Sequence, residues 1–413
     1  MIVETLAVGT ELLLGQITNT NAKEIATRLA ESGFTHLNQS VVGDNASRLE
    51  SAILKAAERS DVLIITGGIG PTADDITRDA VAAVAGVPLV YDRTYEQVLR
   101  ERWDRMRPDR TFPESNLRQA YRPEGAHIVV NPKGSAPGFR IRVGECWVFA
   151  LPGVPVEMLD MVDELVLPFL REEAGDGRVV VSRVLRSWGM SEAKVGEELQ
   201  ELFDRSENPT IAFLASEGEI KIRITALAES DADARSLIAP VEREVRERIG
   251  DRIYGADDET IERVIRRELE TRGWTIGTAE SATGGLVGRR LTSLPGASET
   301  FRGSVVAYAS DLKTSILGVP EATIVEHGVV SEATAEAMAQ GARSVLGVDV
   351  AVAVTGSAGP EPLEQPVGTM IVAVATPLCS TVRTLHMPGD RERVRAYAAT
   401  AALHLMLRAI QQS

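Results

Sequence analysis

Cysteine is nearly missing from this chain: 413 residues contain two, Cys146 and Cys379, far apart and in no CxxC pair. A disulfide scaffold is excluded, and a reducing cytoplasm fits. Histidine is scarce too, with five residues and no HxxxH or HExxH spacing, which argues against a zinc site. Positive charge is in deficit: 44 Lys and Arg face 59 Asp and Glu, a net charge of −15. Neutralising phosphates needs clustered cations, so direct nucleic-acid binding is not expected. No apolar run approaches the ~18 residues of a membrane helix, so no membrane partner is expected. The start, Met1-Ile-Val-Glu-Thr-Leu-Ala-Val8, lacks a basic leader. It reads as a first strand and not as a signal peptide.

What is present is ordinary for a globular chain, 44% hydrophobic and 25% charged. At ~150 residues per domain, two or three domains are expected. Up to residue 171, short apolar runs alternate with helical patterns, as in α/β units with a parallel sheet. Ile2–Val8 and Val62–Ile65 read as strands; 21–32 and 49–59 read as helices. A composition shift at 172–177 reads as a linker. A small α+β unit follows: strand 179–186, helix 191–203, strands 210–215 and 220–228, helix 232–249. A second break falls at Gly255-Ala-Asp-Asp258, with Asp258 a candidate cap for the next helix. The expected boundaries are 1–171, 172–254 and 255–413. The Arg-rich stretch 95–122 either closes over a phosphate or, more plainly, is a solvated helical face.

Ligands of parallel α/β sheets bind at the carboxyl ends of strands. There, TGGIGPTADDIT (66–77) follows a strand and precedes a helix. Its glycines let backbone N–H groups approach a phosphate, and Asp74 and Asp75 suit a hard cation. The alternative is a tight turn with Asp as helix cap. The loop is neither a Walker A loop nor GxGxxG. Glu11 and Asp44 are further acids that could join one cation; a lone loop acid is usually solvated. The loops 131–138 and 151–158 either offer backbone donors or are rigid turns.

GTELLLGQITNTNA (9–22), TGGIGPTADDIT (66–77), NPKGSAPGF (131–139) and LPGVPVEM (151–158) closely resemble the N-terminal domain of CinA proteins. The resemblance implies a molybdopterin-binding-like fold and metal-dependent hydrolysis of ADP-ribose to AMP and ribose 5-phosphate. It implies a divalent ion (Mg²⁺, Co²⁺ or Mn²⁺, with K⁺ as a further candidate) near Glu11, Asp44, Asp74 and Asp75. Thr10, Asn19, Gly67, Gly68, Gly70 and Thr72 would then bind substrate.

A second constellation lies after a short strand at 275–278. Ser281 sits in the turn Ala279-Glu-Ser-Ala-Thr-Gly-Gly285, ahead of a helical pattern. Such a turn exposes a nucleophile and offers N–H groups to an oxyanion. The alternative is that Ser281 or Thr283 only caps the helix. No His stands out as a base. Lys313 is the only lysine after Lys221, just past the strand-like run 305–308. A buried lysine can act as a base, whereas a lone lysine is ordinarily a surface residue. TGSAGP (355–360) either binds phosphate, closes the oxyanion region or is a plain turn.

TAESATGG (278–285), GSVVAYASDLKTSILGV (303–319), HGVVSEATAEAMAQGA (327–342), TGSAGP (355–360), PVGTM (366–370) and GDR (389–391) resemble the C-terminal CinA domain, which is similar to nicotinamide mononucleotide deamidase. The resemblance implies Ser281 as nucleophile, Lys313 as base and no cofactor. Tyr308 and Thr355 match catalytic positions. Thr283, Gly284, Gly285, Gly356, Gly359 and Arg391 match substrate-binding positions. Four features depart from the family: Ala282 for Cys, Ala309 for Ser, Ser357 for Ile, and Glu361-Pro-Leu-Glu-Gln365 for a Gly-rich stretch. The middle unit resembles the family's KH-like domain but has no GxxG loop, so RNA binding is not inferred. The whole implies two α/β domains joined by a KH-like α+β domain, a homodimer, and nucleotide substrates. Readings from other classes are a molybdopterin- or nucleotide-binding module without turnover, and a competence-related interaction protein.

Overall fold

The computed structural model describes residues 1–175, 179–216 and 218–413. The chain divides into two compact units, 1–181 with 226–235, and 182–225 with 236–413. The middle segment thus clusters largely with the C-terminal one. Asp176 and Gly177, the end of the expected linker, lie outside the described residues. Among the described residues, no helix is long and apolar enough to cross a membrane.

The first unit is built on six strands in the order Thr35–Val42, Ile2–Val8, Val62–Thr66, Cys146–Leu151, Gly138–Val143, His127–Val129. The first four run parallel. Gly138–Val143 runs against them, and His127–Val129, antiparallel to it, runs with the first four. Alternate residues of one strand enter opposite cores. Leu63 and Ile65 pack with Leu49, Ile53 and Val81, whereas Val62 and Ile64 pack with Ile25, Leu29 and Met161. Both faces are covered, so the strands read as continuous apolar runs. Asn19 and Asn45 cap the helices Thr20–Glu31 and Ala46–Ala57 through their side chains.

In the middle segment, four strands form a sheet in the order Thr210–Ser216, Glu219–Ala228, Val179–Trp188, Ile253–Ala256. The last strand was not expected: Gly255, read as part of a break, lies within it. Asp258 does not cap the next helix. The cap position of Ile261–Arg272 is Thr260, and Asp258 instead accepts a bond from Arg263 at 2.6 Å.

The C-terminal segment carries five strands in the order Phe301–Val306, Ile276–Glu280, Val350–Gly356, Thr369–Ala375, Ser380–His386. The central pairings of Ile276–Glu280 are parallel, with Glu280 beside Val354 and Val306. Val350, Val352 and Val354 face one core with the helix Arg391–Gln411. Ala351 and Ala353 face the other with Glu332–Leu346. The strand begins later than the sequence pattern suggests and runs on through Glu280. Ser281 is therefore the first residue past its carboxyl end, where ligands of such sheets bind.

Candidate functional site

Ser281 leaves the strand with its N–H on the Val354 carbonyl, at 2.9 Å. The next turn contains Gly284 and Gly285 at φ +59° and +96°, which side-chain-bearing residues rarely adopt. The helix Leu286–Leu291 follows. Neither Ser281 nor Thr283 caps it. The cap is supplied by Glu280, which accepts from the N–H groups of Gly285 (2.9 Å), Val287 (3.1 Å) and Gly288 (2.8 Å). Glu280 is 0% exposed. Its charge is met by three amides at a helix start, a favourable place for a buried carboxylate. The Ser281 hydroxyl is thereby left out of the helix cap. Thr283, also 0% exposed, has a hydroxyl with no partner among the described residues.

Lys313 reaches the turn from the helix Ser310–Ser315. Its amine lies 3.2 Å from Ser281 Oγ, 3.0 Å from the Ala307 carbonyl and 3.5 Å from the Tyr308 carbonyl. The residue is 1% exposed. Burial pushes its pKa down, against weaker upward pulls from Asp311 and Glu364. A neutral amine has two N–H donors and one lone pair. Two carbonyls and one hydroxyl are its natural complement, with the lone pair left for the serine proton.

Around this pair, Tyr308 is 59% exposed, and its hydroxyl accepts from Arg391 Nη2 at 2.7 Å. Arg391 Nη1 donates to the Gly359 carbonyl. Tyr308, Arg391 and Gly359 are thus brought together at the carboxyl end of the sheet. Thr355 lies beside Val354, but its hydroxyl proton is committed to the Val329 carbonyl, at 2.9 Å. A side chain at Gly356 would collide with Met370 Sδ and the Thr369 carbonyl. The amides of Gly284 and Gly285 are already spent, on the Ser281 carbonyl (3.0 Å) and on Glu280. Arg395 was not anticipated from the sequence. It clamps the turn from behind, donating to the carbonyls of Ala282 (3.0 Å) and Thr283 (2.9 Å).

The departures from the family pattern have local accommodations. Ala282 is buried in the apolar core with Val287 and Val354. Ala309 stands at the cap of the Lys313 helix, which has no side-chain cap. Ser357 and the altered loop hold one another: the Leu363 N–H donates to Ser357 Oγ at 3.0 Å. Glu364 in turn accepts from the Val330 N–H at 3.0 Å.

In the first unit, a cleft of about 410 Å³ opens at the strand ends. Gly67, Gly68, Gly70, Glu11, Asp44, Asp74 and Asp75 all line it, together with Glu157. Thr10 sits behind Asp44, donating to it through N–H (2.9 Å) and hydroxyl (2.7 Å). Thr72 binds Asp75 in the same way. Asp75 therefore closes its own loop, and neither Asp74 nor Asp75 caps the helix Thr77–Ala85. Asn19 lines a smaller neighbouring pocket, and its side chain is occupied as a helix cap. Asn131, nearly inaccessible, joins two loops of the cleft: it accepts from Gly134 N–H and donates to Glu157, each at 2.7 Å. Arg78 is 1% exposed and binds the carbonyls of Ile69 and Gly70. Burial pushes it down to about 10. Four arginines of the Arg-rich stretch are engaged within the first unit. Arg100 pairs with Glu96, Arg118 with Asp79 and Arg122 with Asp92, and Arg102 holds the Asn131 carbonyl.

The donor chemistry of this cleft fits a hard divalent cation, since its acids present oxygen only. Among the described residues, no three acids, histidines or cysteines gather into a metal-holding group.

The model of the "CinA C-terminal domain" matches residues 258–410, and that of the "Damage-inducible protein CinA KH domain" matches 182–255. The model of the "Probable molybdopterin binding domain" matches 4–172. A CinA-like protein of Frankia casuarinae is 48% identical, over 98% of this chain and 95% of its own length. The chain belongs to the CinA family. A CinA-like protein of Gloeobacter violaceus is 44% identical, over 98% of this chain and 96% of its own. A solved CinA superfamily protein of Klebsiella pneumoniae is 30% identical, covering 37% of this chain and 97% of that one, at a TM-score of 0.36. This CinA chain thus carries all three family segments in order.

Proposed function

We propose that this CinA protein is a cytoplasmic, homodimeric hydrolase with two active sites, and that its C-terminal segment deamidates nicotinamide mononucleotide. The observation that carries the reading is the buried Lys313 amine 3.2 Å from Ser281 Oγ. Neutral Lys313 takes the serine proton as Oγ bonds to the carboxamide carbon. The carbonyl oxygen becomes the oxyanion. With Gly284 and Gly285 amides spent, the donors in the turn are the N–H groups of Ala282 and Thr283. Arg395 draws the Ala282 carbonyl back, which turns the Thr283 N–H the other way across the planar peptide. The C–N bond then breaks, and Lys313 returns its proton to the leaving ammonia. Water, deprotonated by Lys313, cleaves the ester and frees nicotinate mononucleotide. Arg391, positioned by Tyr308 and Gly359, supplies a cation for the substrate phosphate.

Rapid quench followed by peptide mass mapping tests this step. The expected result is transient acylation of Ser281 by the substrate less ammonia. Substrate consumed with the acyl group on another residue would overturn the assignment.

For the first unit we propose hydrolysis of ADP-ribose to AMP and ribose 5-phosphate. The support is a cleft where a glycine loop and Glu11, Asp44, Asp74 and Asp75 face one space. A divalent ion bound by one or two of those acids would neutralise pyrophosphate charge and activate water. The chain's own part is to hold the phosphates at Gly68 and Gly70, the Gly67 N–H being bound to the Leu151 carbonyl, and to fix the acids through Thr10 and Thr72.

A further inference from the structure

Arg78 is unusual among the arginines of this chain. It is almost wholly buried, yet it binds carbonyls only. Its Nε has no partner among the described residues. The two acids nearest in effect are engaged elsewhere: Asp75 by Thr72, and Asp79 by Arg118 at 3.2 Å. Neither acid bonds to Arg78 directly, so their charges offset the cost of its burial only in part. Unless something offsets that cost, an apolar residue of similar size is the better choice.

The loop above it has a regular pattern. The Gly67 carbonyl accepts from the Thr77 hydroxyl at 2.8 Å. The Gly68 carbonyl accepts from the Thr77 N–H at 2.9 Å. The carbonyls of Ile69 and Gly70 accept from Arg78. Successive carbonyls are therefore drawn to one side, toward the start of the helix Thr77–Ala85. In a trans peptide the N–H points opposite to its C=O. The N–H groups of Gly68, Ile69 and Gly70 then face the other way. Gly68 and Gly70 line the cleft, whereas Thr77 and Arg78 do not. A run of converging amides is an anion cradle.

We propose that Thr77 and Arg78 are positioning residues that aim these amides at a phosphate group of the cleft's ligand, and that this anion adds to the counter-charge that Asp75 and Asp79 give Arg78. The inference rests on the reading of the first unit as a nucleotide hydrolase and adds what orients and charges its phosphate site. Anion binding and the stability of a buried Arg78 are then linked. The bound anion stabilises the cation, and the cation raises affinity for the anion.

The experiment is thermal unfolding of the full chain with and without ADP-ribose and Mg²⁺, read at the transition the ligand moves, alongside KM and kcat for AMP formation. In the parent, ligand raises that transition. In Arg78→Met the ligand-free transition is expected to stay near the parent's, because removing a buried cation offsets the loss of its bonds to the Ile69 and Gly70 carbonyls. The ligand-induced rise should vanish and KM should increase at least tenfold. In Thr77→Val the rise should shrink. If Arg78→Met instead unfolds early, Arg78→Lys decides. A lysine that restores the ligand-induced rise supports the proposal; one that restores only the ligand-free transition overturns it. A Met variant that keeps the parent's rise and KM overturns the inference alone. A parent with no rise overturns the nucleotide reading of the cleft and the inference with it.

Discussion

Lys313 Nζ lies 3.2 Å from Ser281 Oγ, although 32 residues separate them (313 − 281 = 32) and they sit on different elements. The strand Ile276–Glu280 delivers the serine, and the helix after its parallel neighbour Phe301–Val306 delivers the lysine. Adjacent parallel strands end on the same side of a sheet, so their following loops meet. The carbonyls of Ala307 and Tyr308 fix the amine from below.

The first prediction concerns pH. Burial disfavours the charged amine, so the Lys313 pKa is depressed. The base must be neutral to accept the serine proton. Deamidation kcat/KM should therefore rise with pH and level off once Lys313 is deprotonated, at a midpoint below the ordinary lysine range. A rate that falls as pH rises through that window would contradict a lysine base.

The second concerns the uncapped helix that carries Lys313. Ala309 occupies its cap position in extended conformation, with no side-chain bond. Ala309→Ser adds an acceptor for the exposed amides and should stabilise by about 1 kcal/mol. The midpoint of denaturant unfolding of the second unit should rise. An unchanged or lower midpoint would show that the cap bond does not form.

The third concerns Glu280. Its two oxygens satisfy three buried amides. Glu280→Gln keeps the shape but offers one good acceptor in place of two and removes the charge facing the helix start. A loss of roughly 1–3 kcal/mol in stability is expected. Deamidation kcat should fall too, because the turn that aims Ser281 is released. A variant with parent stability and rate would contradict the capping role.

The fourth concerns the first unit. Asp75 closes the glycine loop through Thr72 and faces the cleft. Asp75→Ala, or excess chelator with the parent, should abolish AMP formation from ADP-ribose while ammonia release from nicotinamide mononucleotide continues. Loss of both activities in Asp75→Ala would mean that the chain had unfolded. Retention of AMP formation would remove Asp75 from the site.

Much of the fold is legible in the residues. Val62–Thr66 and Val350–Gly356 are apolar on both faces, as strands covered by helices must be, and glycines mark their ends. The site is legible more unevenly. Ser281 and Lys313 stand out through family motifs; their residue types alone leave a cap and a surface lysine open. Glu280 lies inside a quoted motif, yet an acid after a strand reads as solvated. Its signal is the Gly-Gly helix start that follows, whose amides need an acceptor. Arg395 acts on a turn 112 residues away, and no local pattern announces that clamp. Arg78 reads as a helix-surface arginine until its burial is seen. Asn19 and Thr355 are the reverse case. Both sit in family motifs, but the structure commits the Asn19 side chain to a helix cap and the Thr355 hydroxyl to the Val329 carbonyl.

The most direct measurement is ammonia release from nicotinamide mononucleotide by the purified full chain, beside Ser281→Ala and Lys313→Met. The account predicts release by the parent and none above background from either variant, with both variants folded by circular dichroism. Undiminished release from Ser281→Ala, or none from a folded parent, would contradict it.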